Sequence, residues 1–106
     1  MLGSKKKSSH KGDIKFLEHL QEIVDKRKVE LPENSYTTKL FSKGLNKIAQ
    51  KVGEEAVELV IEAKDNNRDL FLDEAADLVY HLIVLLSAKN TSINDVVKVL
   101  ERRHSK

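Results

Sequence analysis

The chain has 106 residues, of which 40% are hydrophobic, 34% charged and only 5% aromatic, with four glycines, one proline and no tryptophan. That is one domain with one core, too short to join a catalytic domain to a separate binding domain, and the composition argues against a barrel, a sandwich or a low-complexity chain. Cysteine is absent, which excludes disulfides, a thiolate nucleophile and Cys-ligated zinc or iron–sulfur sites.

No apolar run reaches the roughly 18 residues of a membrane span, and the first residues lack the apolar stretch of a signal peptide. The expectation is a cytoplasmic protein with no membrane partner. The formal charge is +2, from 19 basic and 17 acidic residues. Lys5, Lys6, Lys7 and Lys11 all fall in the first twelve residues, which hold no acid, leaving 15 basic against 17 acidic residues in the remainder. Residues 1–12 are expected to be a disordered basic tail or the remnant of a tag rather than a nucleic-acid arm. Residues 13–106 are expected to form the single domain.

Asp13 is placed to cap a first helix whose apolar residues Ile14, Leu17, Leu20, Ile23 and Val24 recur at helical spacing. That helix should end near Lys28, ahead of Leu31-Pro32. Asn34 and Ser35 offer the next N-cap, for a short helix holding Tyr36, Leu40 and Phe41 up to Gly44. A third helix runs from Leu45 to about Lys64, and a fourth from Arg68 to Lys89, separated by Asn66-Asn67. Ser92 followed at the third position by Asp95 reads as a capping box for a last helix through Val96, Val99 and Leu100. The expectation is an all-α bundle of four main helices and one short one, without strands.

On a wheel of about 100° per residue, Glu54, Glu55, Glu58 and Glu62 share one sector of the third helix. Val57 and Ile61 border that stripe, so its polar sector is narrower than that of an ordinary surface helix. On the fourth helix Glu74, Asp77 and His81 form one line among Leu70, Leu78, Val84 and Leu85, and the helix reads as buried nearly all round, within one subunit or between two. Two carboxylates about 6 Å apart repel by roughly 3 kcal/mol at an effective dielectric of about 20. If the two helices bring these acids together, they demand a counter-charge. All-oxygen ligation suits a hard cation, Mg²⁺ or Mn²⁺, whose open positions go to water and substrate phosphates.

Lys39, Lys43, Lys47 and Lys51 recur at every fourth residue. If the chain stays helical past Gly44 they form a cationic ladder leading to the acids, suited to a polyphosphate. The plainer reading is a solvated face in which Lys51 and Glu55 are partners at i, i+4. His81 and Tyr80 read as hydrogen-bonded packing residues.

The acid pattern resembles that of the all-α nucleoside triphosphate pyrophosphatases of the MazG-like superfamily. Ser35 to Leu40, Lys43-Gly44, Lys51 to Glu55 and Glu74 to His81 resemble, within it, the phosphoribosyl-ATP pyrophosphatases of histidine biosynthesis. The resemblance runs from about Phe16 to His104. It implies Mg²⁺-dependent hydrolysis of phosphoribosyl-ATP between its α- and β-phosphates, with Mn²⁺ as a substitute ion. It also implies Glu55, Glu58, Glu74 and Asp77 as metal ligands, and Glu54 as a further ligand or the group that orients water. Lys39, Lys43, Lys47 and above all Lys51 would bind phosphate. A homodimer and a functional link to the cyclohydrolase of the next step are implied as well.

Three rivals remain. A house-cleaning pyrophosphatase for non-standard nucleotides would share the acids but not the Ser35 to Lys39 segment. A non-catalytic helical module would leave the acids solvated. A di-iron bundle is disfavoured, because the Glu74 and Asp77 pair ends in acid and His81 comes four residues later.

Overall fold

The computed structural model describes residues 11–105, which fold into five α-helices with no strand among them. They are α1 (Phe16–Glu30), α2 (Tyr36–Lys43), α3 (Leu45–Ala63), α4 (Arg68–Ala88) and α5 (Ile93–Arg103). Most of the basic segment expected at residues 1–12 lies outside the described residues.

Local chemistry sets most boundaries. The Ser35 hydroxyl accepts from the Thr38 N–H at 3.2 Å and opens α2. The Asn67 side chain accepts from the Leu70 N–H at 3.0 Å and opens α4. At α5 the capping box is complete: Ser92 Oγ accepts from the Asp95 N–H, and Asp95 Oδ2 accepts from the Ser92 N–H, satisfying two donors the helix itself cannot pair. Pro32 disfavours a helical conformation for the residue before it, and α1 stops at Leu31, which turns to φ 48°.

The first helix departs from expectation at both ends. Asp13 accepts from the Lys15 N–H through its side chain and from the Phe16 N–H through its carbonyl, so it shapes a turn ahead of the helix rather than capping it. Ile14 consequently stays outside the helix and 81% exposed, and the far end runs on to Glu30 rather than stopping near Lys28.

The core gathers Val24 of α1, Leu40 of α2, Ile48 of α3 and Ile83 and Val84 of α4 at one end of the molecule. Long polar side chains of α1 fasten the last turns around it. Lys28 Nζ donates to the Ser87 carbonyl at 2.6 Å and to Asn90 Oδ1 at 2.7 Å, placing a cation where the α4 dipole is negative. Gln21 Oε1 accepts from the Ile93 N–H at 2.8 Å, closing the start of α5.

The rest of α3 and α4 projects from this core as a hairpin. The expectation that α4 is buried nearly all round fails within one chain. Its second half carries the buried His81, Ile83, Val84 and Ser87, whereas Leu70 and Leu72 in its first half are exposed. On α3, Val57 is 60% and Ile61 55% exposed, with Val60 between them. No other described helix covers these residues, because α1, α2 and α5 gather around the core end. The radius of gyration, 15.8 Å, exceeds the roughly 13 Å of a compact domain of about 100 residues.

Candidate active site

The acids come together where α3 and α4 face each other. Each of Glu55, Glu58 and Glu74 offers one carboxylate oxygen, and all three oxygens lie within 4.8 Å of one another. Spacings of i, i+3 on α3 set the first two side by side, since residues three apart share a helix face; antiparallel packing supplies the third. Glu55 is buried at 7% exposure, Glu74 is half-buried and Glu58 is exposed.

Glu74 bears the electrostatic consequence. Its partial burial, a hydrogen bond with Glu58 and repulsion from Glu58, Asp77 and Glu55 push its pKa from 4.5 up to about 7. Its Oε1 is shut off from solvent with no hydrogen-bond partner, and an unpaired enclosed polar oxygen costs free energy. The same holds for Oε1 of Glu62, one turn beyond Glu58. A hard divalent cation fits this donor set: it would satisfy the orphaned oxygen and offset the repulsion with oxygen ligands alone.

Asp77 and Glu54 fall outside the trio. Asp77 is exposed, one turn along α4 from Glu74, close enough to raise Glu74 electrostatically. Glu54 points to solvent, where it accepts from Gln50 Nε2 at 2.7 Å and pairs with Lys51 at 3.4 Å. These two partners, Gln50 foremost, hold its carboxyl below the usual range. On the wheel Glu54 and Glu55 are neighbours, and the packing of α4 against α3 separates them.

The continuous lysine ladder does not form. Gly44 takes φ 95°, ending α2 and beginning α3, and a positive φ is accessible there because glycine has no Cβ. The four-residue register is therefore broken, with Lys39 and Lys43 on one helix and Lys47 and Lys51 on the next. Lys51 is the one among them with acid partners: its Nζ is 3.4 Å from Glu54 Oε1 and 3.5 Å from Glu55 Oε2. Burial works to lower its pKa, yet the hydrogen bond to Glu54 and the nearby negative charges keep it above the ordinary lysine value. Lys39 and Lys43 stand exposed, and Lys47 half-buried.

Two aromatic groups border the acids. His81 is buried, and its Nδ1 lies 2.7 Å from the Asp77 carbonyl. A carbonyl only accepts, so Nδ1 carries the hydrogen, and in the neutral ring Nε2 accepts from the Tyr36 hydroxyl at 2.9 Å. Tyr80 bonds the Thr37 hydroxyl. Both His81 and Tyr80 are thus the hydrogen-bonded packing residues the sequence suggests. Sequence reasoning put Glu62 in the acid stripe, at i, i+4 from Glu58, but gave it no role. It missed the contact of Tyr36 with His81 beside the site, because the two residues are 45 positions apart.

An all-helical chain that sets three carboxylates from two antiparallel helices within 4.8 Å of one another has a donor set suited to a hard cation and, with Lys51 beside it, to a phosphate-bearing ligand. Residues 17–104 match the model of the phosphoribosyl-ATP pyrophosphohydrolase family. The chain belongs to that family. It is 52% identical over 91 residues to the phosphoribosyl-ATP pyrophosphatase of Listeria welshimeri, covering 86% of this chain and 87% of that one. It is 47% identical over 92 residues to the enzyme of the same name from Leptospira biflexa, covering 87% of this chain and all of that one. The histidine biosynthesis bifunctional protein HisIE of Bacteroides thetaiotaomicron is 54% identical over 92 residues, covering 87% of this chain and 45% of that protein. The chain thus spans less than half the length of the bifunctional relatives it matches.

Proposed function

We propose that this chain hydrolyses phosphoribosyl-ATP between its α- and β-phosphates, releasing phosphoribosyl-AMP and pyrophosphate in the second step of histidine biosynthesis. The single observation that carries this reading is the convergence of Glu55, Glu58 and Glu74, one carboxylate oxygen of each within 4.8 Å of the others. Family membership supplies the substrate.

Glu55, Glu58 and Glu74 would hold Mg²⁺, or Mn²⁺ in its place, and Asp77 would join them from the next turn of α4. When bound, the ion supplies positive charge beside the triphosphate and acidifies water in its shell. The chain's own groups do the rest. Lys51, held between Glu54 and Glu55, is placed to exchange a carboxylate for a phosphate oxygen, and Lys39, Lys43 and Lys47 extend the positive charge along the substrate. Glu54 restrains the Lys51 ammonium. No covalent intermediate enters, because no serine or threonine of the site has an activating base beside it.

The protein works as a homodimer. The support is the apolar hairpin surface of Val57, Val60, Ile61, Leu70 and Leu72, which a second copy would cover by packing hairpin on hairpin. Membership of a biosynthetic enzyme family supports a cytoplasmic place; no described helix is long and apolar enough to cross a membrane. The bifunctional relatives support a functional link to the cyclohydrolase that consumes the product.

The deciding experiment is pyrophosphate release from phosphoribosyl-ATP with and without Mg²⁺, run beside ATP, dUTP and dCTP. Metal-dependent turnover of phosphoribosyl-ATP alone is expected. Turnover of the other triphosphates in its place would move the function to nucleotide house-cleaning, and turnover of none would return the acids to a solvated face.

A further inference from the structure

A helix of eight residues is marginal by itself, so the orientation of α2 depends on what its side chains grip. Gly44, at φ 95°, breaks the helical path at the far end of α2, so α3 does not extend it. Beyond the buried Thr37 and Leu40, the near end is tied to α4 by two side-chain hydrogen bonds, Thr37 with Tyr80 and Tyr36 with His81. The second of these bonds stands beside the acids. The Tyr36 hydroxyl lies within electrostatic reach of Lys51, Glu55 and Asp77, and its acceptor His81 is anchored in turn on the Asp77 carbonyl.

The ring of Tyr36 is also fixed on two sides, stacked on Tyr80 at 6.3 Å and edge-on to His81 at 5.7 Å. Half of the residue, 49%, stays exposed, so burial alone does not explain this bracing. Tyr36, Lys39 and Lys43 lie at i, i+3 and i+7, on one face of α2. Whatever sets Tyr36 against α4 therefore sets the direction of both lysines.

We propose that Tyr36 and His81 are a positioning pair: the O–H···Nε2 bond docks α2 beside the carboxylates so that Lys39 and Lys43 meet the phosphates of a nucleoside polyphosphate. The proposal rests on the reading of the carboxylate trio as a triphosphate site. His81 touches neither metal nor substrate and acts through Tyr36.

The test uses the full chain and reads binding apart from turnover. Titration calorimetry with α,β-methylene-ATP at saturating Mg²⁺ is compared for wild type, Tyr36→Phe, His81→Phe, His81→Gln and the double variant Tyr36→Phe/His81→Phe. Tyr36→Phe keeps the ring and the fold, and His81→Gln restores an acceptor. Losing one net hydrogen bond should weaken binding of the probe about threefold to tenfold in each phenylalanine variant. The double variant should be no worse than the worse single one, His81→Gln should recover part of the loss, and the rise in Tm on adding Mg²⁺ alone should be unchanged.

Unaltered affinity in Tyr36→Phe overturns the pair, as do multiplying losses in the double variant or a parallel loss of the Mg²⁺-induced rise in Tm. Turnover of phosphoribosyl-ATP by wild type is measured on the same samples. Its absence, with the probe still sensitive to Tyr36→Phe, would overturn the proposed reaction and leave the positioning pair standing. A wild type that binds no probe overturns the positioning pair, while turnover of phosphoribosyl-ATP on the same samples decides the proposed reaction separately.

Discussion

The Lys51 ammonium lies 3.5 Å from Oε2 of Glu55, one turn further along α3, and shares its charge with Glu54 at 3.4 Å. Glu55 is the most buried carboxylate of the site, so Lys51 offsets a charge that water solvates poorly. Replacing Lys51 with Met should destabilise the metal-free protein by about 1–2 kcal/mol, between the values of exposed and buried pairs. Because a bound cation would take over the same neutralisation, the deficit should shrink in Mg²⁺. Urea unfolding in EDTA and in Mg²⁺ measures both, and an equal deficit in the two would disconnect Lys51 from the metal site.

Glu58→Gln and Asp77→Asn change charge at almost constant shape. Removing Glu58 also removes the group that most raises Glu74 after burial, so Glu58→Gln should leave the metal-free fold as stable as wild type or slightly more so. Both substitutions should cut turnover at least about tenfold, the smaller end of what even outer metal-shell changes cost. A Glu58→Gln enzyme with more than a tenth of wild-type activity would sink the ligand assignment.

The Glu74 carboxyl titrates near 7 in the folded protein against an ordinary 4.5. Between these values the folded state holds more protons than the unfolded one, so metal-free stability should be fully present below 4.5 and fall as pH rises through 7. Mg²⁺ should reverse that slope near neutrality and release a proton on binding. Denaturant unfolding from pH 4 to 8 in EDTA, with calorimetry of Mg²⁺ binding in buffers of different ionisation enthalpy, tests the pair. A flat stability profile with no proton release would refute it.

On the hairpin, Ile61→Arg places a charge in the apolar surface that a second copy would cover. Wild type should run as a dimer in size exclusion with light scattering, and Ile61→Arg as a monomer at the same micromolar concentration. A wild-type monomer would leave Val57, Val60 and Ile61 without the assigned partner.

The helix ends show how far the sequence is legible. Ser35, Asn67 and Ser92 each cap the helix that follows them, because a cap is a bond between residues about three apart and needs no tertiary contact. Gly44 was equally legible as a break, and that same break removes the continuous lysine ladder. Ile14, Leu70 and Val57 were not legible: hydrophobicity says that a residue gains by burial, and only packing says whether it is buried. Tyr36 with His81, and Lys28 with Ser87, join residues 45 and 59 positions apart, beyond any local pattern.

By themselves, the 106 residues determined an all-helical chain, where most of its helices begin, the absence of thiol chemistry, and two acid-bearing helix faces, since each of these follows from composition or from spacings of three and four residues. Only the tertiary structure decided that Glu55, Glu58 and Glu74 converge while Glu54 turns to Lys51 and solvent. Convergence depends on how α3 and α4 rotate against each other, and that rotation is set by burying Ile48 against Ile83 and Val84 at the opposite end of the hairpin.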